Sequence, residues 1–328
     1  MSSTSTRSFP SKLEQLEHSS GPNKLLLAAS TGGHLSQIVR FSDRWNISDD
    51  SLFVTFDSEQ SRSLLRGKRV LHVPYVRPRD LKSTVRAYHE VVRAIGDEKF
   101  DMAISTGAAL AVGALVAARR KGILCTYVES VSRLHGPSVS GRIINAIRIA
   151  EMRTQHSAWA GGRWQQHRSV LEQFSSRPRS GPQPGTPLKV FVTLGTIRPY
   201  RFDSLVDAII GAGLATEHTV WQLGETSRDG LPGKVLRQTT ADEFKAFAMD
   251  ADVVITHAGV GTLLELLEWG IHPVVAPRRK HRGEHVDDHQ LQIAELMASA
   301  GLAQVVTPET LSMRQLTEAA SRENHPVS

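Results

Sequence analysis

Short apolar runs, each followed by a longer segment of mixed character, recur along most of the chain. Apolar runs of this length are typical of buried β-strands, and the segments between them are long enough for crossover helices. This alternation predicts parallel sheets with helices on both faces. The predicted strands lie at residues 24–29, 52–56, 70–73, 102–105 and 123–128, and again at 189–194, 219–223, 253–256, 273–276 and 303–306.

A segment rich in proline and glycine divides this pattern at residues 176–187. Proline and glycine at this density favour an irregular connection. We therefore predict an α/β protein with two Rossmann-like domains, at 23–175 and 188–328, joined by a linker at 176–187. Residues 1–22, rich in Ser, Thr and charge, are predicted to be a disordered leader. Two doubly wound domains place a ligand cleft at the carboxyl ends of both sheets.

Composition narrows the class of protein only slightly. The single cysteine, Cys125, lies in an apolar run, which indicates a buried structural thiol and no internal disulfide. No apolar segment reaches membrane-spanning length, and no signal-peptide core is present. The net charge of +6 suits nucleic acid, anionic lipid or an anionic substrate, and it does not choose among them.

The first motif joins the strand at 24–29 to a helix through Gly32 and Gly33, and His34 stands at the start of the helix. Glycines allow close approach of a ligand, and the N–H groups of a helix start attract anions. His34 is a candidate general base for an acceptor hydroxyl. The alternative is that His34 only caps or lines the turn.

The second motif follows the strand at 253–256. Its turn, Gly259 to Thr262, can bring backbone N–H groups and the Thr262 hydroxyl close to a diphosphate. Glu265 comes three residues later on the same helix face and can accept hydrogen bonds from ribose hydroxyls. The alternative is an ordinary exposed carboxylate.

The third motif is a basic segment followed by a helix predicted at 290–300. Its cations, Arg278, Arg279, Lys280 and Arg282, can neutralise a diphosphate or an acidic sugar. Asp288 and Gln290 can bond sugar hydroxyls, although Asp287 or Asp288 can equally be a helix N-cap. A metal site at His281, His285 and His289 is disfavoured, because the first two lie in a predicted loop.

These residues resemble a known group of enzymes. The segments 192–196, 255–262 and 287–290 are similar to the lipid II-forming N-acetylglucosaminyltransferases. They are more similar still to the catalytic subunit of the two-subunit UDP-N-acetylglucosamine transferase of the dolichol pathway. Residues 31–34, 127–133 and 137–142 resemble its membrane-anchoring partner subunit, so the chain looks like a fusion of the pair, with the likeness covering residues 24–306.

The resemblance implies a GT-B fold and direct displacement with inversion, without a metal or other cofactor. The donor is a UDP-sugar, held by the second domain, and the acceptor is a polyprenyl-diphosphate-linked saccharide, held by the first, in exopolysaccharide or related synthesis. Carried over residue by residue, the resemblance makes His34 the base and Glu265 the ribose ligand. It implies a diphosphate site at Gly259, Val260, Gly261, Thr262 and Thr196, and a uracil site at Thr240 and Phe244. It implies a sugar site at Asp288, His289, Gln290 and Arg279, and an acceptor side at Gly32, Gly33, Glu129, Ser130 and Arg133.

Two departures from the family pattern stand out. Gln37 occupies the position where the partner subunits usually have a glutamate, and the anchoring transmembrane helix is missing. The expectation is therefore a cytoplasmic protein associated peripherally with the inner leaflet of the membrane, without a nucleic-acid partner. Residues 138–153 carry an apolar stripe with a basic flank, and an upstream basic patch (Arg77, Arg79, Lys82, Arg86) can add to it. An amphipathic helix packed on the sheet explains the stripe as well.

Two rival functions stay open. A UDP-sugar epimerase has the same two facing domains, and a non-catalytic subunit can retain a nucleotide pocket. A dinucleotide oxidoreductase is disfavoured, because neither glycine turn has the G-x-G-x-x-G spacing. The sequence does not distinguish N-acetylglucosamine, glucuronic acid, galactose and glucose as the transferred sugar.

Overall fold

A computed structural model describes residues 12–76, 80–183, 185–196, 198–286 and 288–327. In the first half, parallel strands form one sheet in the order β3-β2-β1-β4-β5-β6-β7. The central strand β1 is wholly aliphatic and buried, as expected for a parallel sheet covered on both faces. The strands are β1 (Leu25–Ala29), β2 (Leu52–Phe56), β3 (Arg69–Val73), β4 (Met102–Gly107), β5 (Cys125–Val128), β6 (Glu151–Thr154) and β7 (Trp164–Gln166).

The second half forms another parallel sheet, in the order β11-β10-β9-β12-β13-β14. Its strands are β9 (Val190–Thr193), β10 (Val220–Gln222), β11 (Lys234–Leu236), β12 (Val253–Thr256), β13 (Val274–Val275) and β14 (Gln304–Val305). A separate antiparallel pair joins β8 (Phe174–Pro178) to β15 (Arg322–Pro326). The prediction of two parallel α/β sheets is confirmed.

Helices connect the strands of both sheets. In the first half they are α1 (Lys12–Glu17), α2 (Gly33–Ser42), α3 (Glu59–Leu64), α4 (Leu81–Ile95), α5 (Ala109–Arg120) and α6 (Val139–Ile147). In the second half they are α7 (Asp203–Gly211), α8 (Ala241–Asp250), α9 (Val260–Glu268), α10 (His289–Ser299) and α11 (Met313–Ala320).

Every strand predicted from the apolar runs is present, with no end shifted by more than two residues. The strands that the sequence did not indicate are β6, β7, β8, β11 and β15, and each has at most two apolar residues. In β6 the side chain of Arg153 pairs with Glu151, and β7 has one buried side chain, Trp164. Such strands carry too few apolar residues to be recognised by pattern.

The prediction of a disordered leader is wrong for residues 12–22; residues 1–11 lie outside the described part. Residues 12–17 form α1, whose Leu13 and Leu16 are buried in the same core as Leu25. The side chain of Asn23 donates to the carbonyl of Trp45 at 2.6 Å and so fixes the following turn. Two leucines three residues apart were enough to dock one helical turn.

The predicted linker at 176–187 also begins with regular structure. Residues 176–178 belong to β8, which pairs with the C-terminal strand β15. Next to this pair, Arg179 donates to the carbonyl of Ala320 at 2.8 Å. The end of the chain therefore returns to the point where the chain crosses between the domains.

The stretch predicted as a surface stripe at 138–153 contains α6 and then turns into the sheet. Helix α6 ends at Ile147, its C-cap Arg148 has a left-handed backbone, and Arg153 is buried in β6. Arg153 is therefore not part of a basic surface flank. On α6 itself, Ile144 is fully buried, whereas Val139, Ile143 and Ile147 are 58%, 43% and 47% exposed.

The two domains share one hydrophobic core. Leu35, Ile38 and Phe41 on α2 belong to the same buried cluster as Leu263 and Leu267 on α9. We call this contact the α2–α9 seam. Because α2 and α9 both begin beside the cleft, the seam sets two helix N-termini against each other.

The prediction of a structural thiol is supported, since Cys125 is buried and unpaired and burial raises its pKa to about 12. Among the described residues, no helix combines the length and the apolar character needed to cross a bilayer.

Candidate functional site

A cavity of about 380 Å³ lies between the domains at the carboxyl ends of β9 and β12. Both halves of the chain contribute to it. Ten of the predicted site residues line it: Gly32, Gly33, Thr196, Thr240, Phe244, Gly259, Val260, Gly261, Thr262 and Glu265. Side chains that the motifs did not single out complete it, including Glu59, Gln60, Gln222 and His257.

The N-terminus of α9 forms one wall of the cavity. Its N-cap is Gly259, which offers no side chain to the first N–H groups of the helix. Unpaired N–H groups at a helix start are suited to an anion. A Cβ atom on Gly261 would lie 3.3 Å from Nε2 of Gln60 and 3.4 Å from the backbone nitrogen of Gly33. Glycine at 261 therefore lets the glycine turns of the two domains approach each other.

Glu265 lies one turn further along α9 and faces the cavity. Burial and the neighbouring charge of Glu268 raise the pKa of its carboxyl group to about 7. None of the hydrogen bonds found among the described residues involves its side chain. A half-buried acceptor without a donor suits ligand hydroxyl groups, as predicted for ribose.

The predicted uracil residues stand at the start of α8. The Thr240 hydroxyl accepts a hydrogen bond from the backbone of Glu243 at 3.2 Å, which makes it an N-cap. Phe244 is partly buried and packs edge-on against Phe191, with ring centroids 5.3 Å apart. Phe244 can present a ring to a base, whereas the Thr240 hydroxyl already has a structural partner.

His257 was missed as a site residue, although it lies inside the second motif. Its ring sits between two glycines, because a Cβ on Gly195 or Gly259 would come within 2.6 or 2.3 Å of it. Burial and the charges of Arg278 and His285 lower its pKa to about 3, so the ring is neutral at neutral pH. The signal in the sequence was a histidine between a buried strand and a glycine turn.

His34 stands in the first turn of α2, next to the lining residue Gly33, but it is not itself among the residues that line the cavity. Its Nδ1 lies 2.6 Å from the carbonyl oxygen of Thr106. Since a carbonyl can only accept, Nδ1 carries the proton and Nε2 is left free to take one. Burial and the charge of Arg133 lower the pKa of His34 to about 4, against the opposing effect of the Thr106 bond.

The first glycine turn is less open than predicted. The N–H group of Gly32 donates to the Gln60 side chain at 2.6 Å, so it is not available to a ligand. Gly33 packs so closely on α9 that a Cβ there would meet the Cβ of Val260 at 2.5 Å. The turn serves the domain contact as well as the cavity.

Glu129 and Ser130 do not line the cavity. The Glu129 carboxyl is fully buried and accepts from the backbone of Ser138 at 2.8 Å and of Ser130 at 3.1 Å. Burial raises its pKa. Gln37, the departure from the family pattern, donates to Ser130 and accepts from Val131 at 2.9 Å. Glu129 and Ser130 therefore hold the loop between β5 and α6 in place, and their acceptor role stays a prediction.

The predicted sugar residues Asp288, His289, Gln290 and Arg279 lie outside the cavity lining. Asp288 accepts from the backbone of Lys280 at 3.0 Å and faces Arg279 at 3.8 Å, while Gln290 accepts from the backbone of Arg278. His289 contacts Arg133, whose charge also acts on His34. This group therefore meets the first domain at Arg133, away from the cavity lining. Asp287 lies outside the described residues.

Two of the four cations in the basic cluster, Arg278 and Arg282, are held by contacts within the protein. Arg278 is fully buried and donates to the carbonyls of Tyr200 and Glu284 at 3.0 Å. Arg282 pairs with Glu309. Backbone carbonyls hold Arg278 and a carboxylate pairs with Arg282, and neither side chain lines the cavity, so the structure gives no support to their predicted use for an anionic ligand. In the described part of the chain, no group of three His, Cys, Asp or Glu side chains is arranged to hold a metal ion.

Residues 207–326 match the glycosyltransferase family 28 C-terminal domain. A relative from Synechococcus sp. (strain CC9311) is 26% identical over 318 residues, covering 88% of this chain and 85% of its own. It is named UDP-N-acetylglucosamine–N-acetylmuramyl-(pentapeptide) pyrophosphoryl-undecaprenol N-acetylglucosamine transferase.

Solved structures share the architecture. Acinetobacter baumannii MurG superposes with a TM-score of 0.54 at 18% identity, over 90% of this chain and 89% of that one. A UDP-GlcNAc 2-epimerase from Neisseria meningitidis gives 0.51 at 11% identity, over 90% and 89%. These likenesses establish the fold alone. With the domain match and the sequence relative, they confirm the GT-B prediction and the resemblance to lipid II-type UDP-glycosyltransferases.

The position of the His34 ring depends on Gly107. A Cβ there would lie 2.8 Å from Cε1 of His34, and Gly107 has a φ of +112°. We expect Gly107→Ala to displace the ring and break the bond to Thr106. Gly136→Ala is the matched control, because Gly136 has a φ of +125° and open space around it. Both variants carry backbone strain of about 1–3 kcal/mol. Nitrogen-15 NMR of the histidine rings should show a changed His34 tautomer signal only in Gly107→Ala. Identical His34 signals in both variants would show that Gly107 does not position the ring.

Proposed function

We propose that this protein transfers a sugar from a UDP-sugar to a lipid-linked acceptor, by direct displacement with inversion and without a metal. The observation that carries the proposal is the apposition of two helix starts in one cleft. One, at α9, is suited to a diphosphate, and the other, at α2, presents a histidine with a free ring nitrogen. The match to a glycosyltransferase domain and the name of the Synechococcus relative support this reading.

In the proposed reaction, Nε2 of His34 takes the proton from the acceptor hydroxyl as its oxygen attacks the anomeric carbon. The bond from that carbon to the UDP oxygen breaks, and UDP leaves with the electron pair. Attack from the face opposite the leaving group inverts the configuration. With a pKa of about 4, the His34 ring is unprotonated throughout the neutral range, so Nε2 is available to accept the proton.

The departing diphosphate needs stabilisation in place of a cation. The N–H groups after Gly259 and the positive end of the α9 dipole point at the cavity and can supply it electrostatically. Thr196 and Thr262 add hydroxyl groups to the same lining. This arrangement is the physical basis for proposing metal-independent transfer.

The biosynthetic context is proposed at the level of chemistry. The name of the relative and the dolichol-pathway likeness both favour N-acetylglucosamine. The name of the relative also favours an undecaprenyl-diphosphate acceptor over the exopolysaccharide synthesis expected from the sequence. With Arg278 and Arg282 committed to the fold, the case for glucuronic acid loses its main support.

Substitution of the base tests the proposal. We expect His34→Ala to lower the transfer rate about a hundredfold to ten-thousandfold, the usual contribution of a general base. The affinity for UDP should stay within about twofold, because His34 lies outside the diphosphate wall. Transfer is followed with radiolabelled UDP-sugars and a polyprenyl-diphosphate saccharide, and affinity by thermal shift.

The same assays separate the rivals. If the wild-type protein releases an epimerised sugar when no acceptor is present, its reaction is epimerisation and not transfer. UDP binding without any turnover by the wild-type protein would indicate a non-catalytic subunit. Unchanged transfer by His34→Ala would remove the base assignment.

Glu265 gives a second prediction, which concerns how the affinity for the UDP-sugar depends on pH. If ribose hydroxyls donate to its carboxylate, binding favours the deprotonated form of a group whose pKa is about 7 in the free protein. The complex then holds fewer protons than the free protein, so affinity rises with pH through about 7. Calorimetry at pH 6.5 in two buffers of different ionisation enthalpy should show proton release on binding UDP-N-acetylglucosamine, whose diphosphate diester does not titrate there.

Glu265→Gln should abolish that proton release and weaken binding about tenfold or more, the cost of losing bonds to a charged acceptor. Glu217→Gln is the control, since the Glu217 side chain is 87% exposed. Proton release that persists in Glu265→Gln would assign it to another group.

We further propose peripheral membrane contact through α6 and α4, which both pack against α5. On α6, Val139, Ile143 and Ile147 form an outward row, with Arg142 exposed beside them. On α4, Leu81 is 75% exposed near Lys82 and Arg86. Apolar groups bordered by cations suit an anionic leaflet. Arg77 and Arg79 lie outside the described residues.

Co-sedimentation with phosphatidylglycerol vesicles measures this contact. We expect the triple variant Val139→Ser, Ile143→Ser, Ile147→Ser to bind at least about tenfold more weakly, because three aliphatic side chains no longer enter the lipid. A matched triple variant at Ile210, Val235 and Met249, which are 42%, 43% and 56% exposed in the other domain, should bind as the wild type does. Equal loss in both variants, or in neither, would contradict a contact through α6.

A further inference from the structure

The α2–α9 seam holds its helices parallel, with a distinct contact at each end. At the cleft end Gly33 meets Val260. Seven residues further along α2, Arg40 reaches Glu268 on α9, with 3.5 Å between Nη1 and Oε1. Seven residues of helix span about 10 Å. The polar contact therefore lies about two turns away from the cavity.

Arg40 also holds the segment that crosses between the domains. Its Nε donates to the side chain of Gln173 at 2.8 Å, and its guanidinium lies 4.8 Å from the ring centroid of Phe174, at the start of β8. The carbonyl of Gln173 in turn accepts from the backbone of Val327, just beyond β15. One side chain thus connects the first domain, the second domain and the crossover.

Among the described residues, no other hydrogen bond or ion pair joins α2 to α9; the domains also meet away from this seam, where Leu134 donates to the side chain of Gln292 at 3.0 Å. Hydrophobic contact is non-directional, so it opposes separation of the helices more than rotation or sliding. A guanidinium that stacks, donates and pairs at once has a defined geometry. Arg40 is therefore the contact able to fix the register of α2 against α9.

We propose that Arg40 is a positioning residue that clamps α2 to α9 and to the crossover, and thereby fixes the distance from His34 to the donor cavity. His34 and Arg40 lie on one rigid helix, so a rotation permitted at Arg40 moves the base. A misplacement of about 1 Å can cost about a hundredfold in rate. The kinetic part of this proposal rests on the proposed transferase function, while the structural part does not.

Two partly buried carboxylates, Glu268 and Asp43, lie near Arg40. Burial raises the pKa values of both Glu268 and Asp43, and Arg40 opposes this effect for each of them. Lys68 also faces Asp43, and Glu268 acts in turn on Glu265 in the cavity. Arg40 therefore offsets the burial of two carboxylates, Glu268 and Asp43, at this interface.

The test uses Arg40→Met, which keeps an unbranched apolar stem over Phe174 and removes the ion pair and the hydrogen bond. The control is Arg314→Met. Arg314 also pairs with a glutamate, Glu318, at 2.7 Å, but within α11. Partly exposed ion pairs contribute little to stability, so both variants should melt within a few degrees of the wild type.

Domain geometry is measured without substrate. Spin labels on Asp97→Cys and Glu217→Cys, whose side chains are more than 85% exposed, report the distance between the domains. Buried Cys125 can stay in place. We expect Arg40→Met to broaden or shift the distance distribution and Arg314→Met to leave it unchanged. Glu268→Gln should shift it in the same direction, and adding Glu268→Gln to Arg40→Met should shift it no further, because Arg40→Met has already broken the ion pair that the two residues share.

Kinetics supply the second measurement. Arg40→Met should lower kcat about tenfold or more and leave the affinity for UDP within about twofold, because the donor wall on α9 is intact. Wild-type distances in Arg40→Met would overturn the clamp, whatever the rate. Shifted distances with unchanged kcat would overturn its role in placing the base. A wild-type protein without transfer activity would remove the proposed function, and the distance measurement would still decide the clamp.

Discussion

The structure depends on the packing of α2 against α9. Each helix follows a buried strand of its own sheet, and their apolar faces form one core that belongs to both domains. Domains joined by a large hydrophobic interface keep a defined orientation. The cleft is the direct result, because the same packing brings the glycine turns of both helices together. Gly33 is required for this approach, since a Cβ on it would lie 2.5 Å from the Cβ of Val260, whereas a Cβ on Gly261 would make a tight contact with Gln60 at 3.3 Å.

Burial leaves the cleft lined mainly by neutral groups. His34 and His257 are kept uncharged by desolvation, and the pKa of Glu265 is raised towards neutrality. An anionic ligand in this cavity therefore meets backbone dipoles rather than a dense cluster of cations. Such preoriented dipoles need no reorganisation as charge develops on a leaving group. Arg278 contributes indirectly, because its bonds to Tyr200 and Glu284 fix the loops beside the cavity.

The sequence predicts the strands and the glycine turns well, because both are local patterns. It also places ten residues in the cavity, since the carboxyl ends of parallel strands share one edge. The errors concern partners that are distant in sequence. Nothing local shows that Gln60 binds Gly32, that Arg278 is buried under carbonyls, or that the leader docks through Leu13. Each of these contacts depends on tertiary packing, which the periodicity of residues along the chain does not reveal.

Gln37 shows how a departure from a family pattern can be structural in origin. Its amide donates to the carbonyl of Gly33 and to Ser130, and accepts from Val131, so both of its polar ends are used inside the protein. A carboxylate there would lack the donor group and would bring a second acid close to buried Glu129. Glu129 in turn bonds Ser138, the N-cap of α6. Buried hydrogen bonds thus run from the helix that carries His34 to the helix that exposes its aliphatic row, and a neutral amide at 37 allows that connection without an unpaired charge.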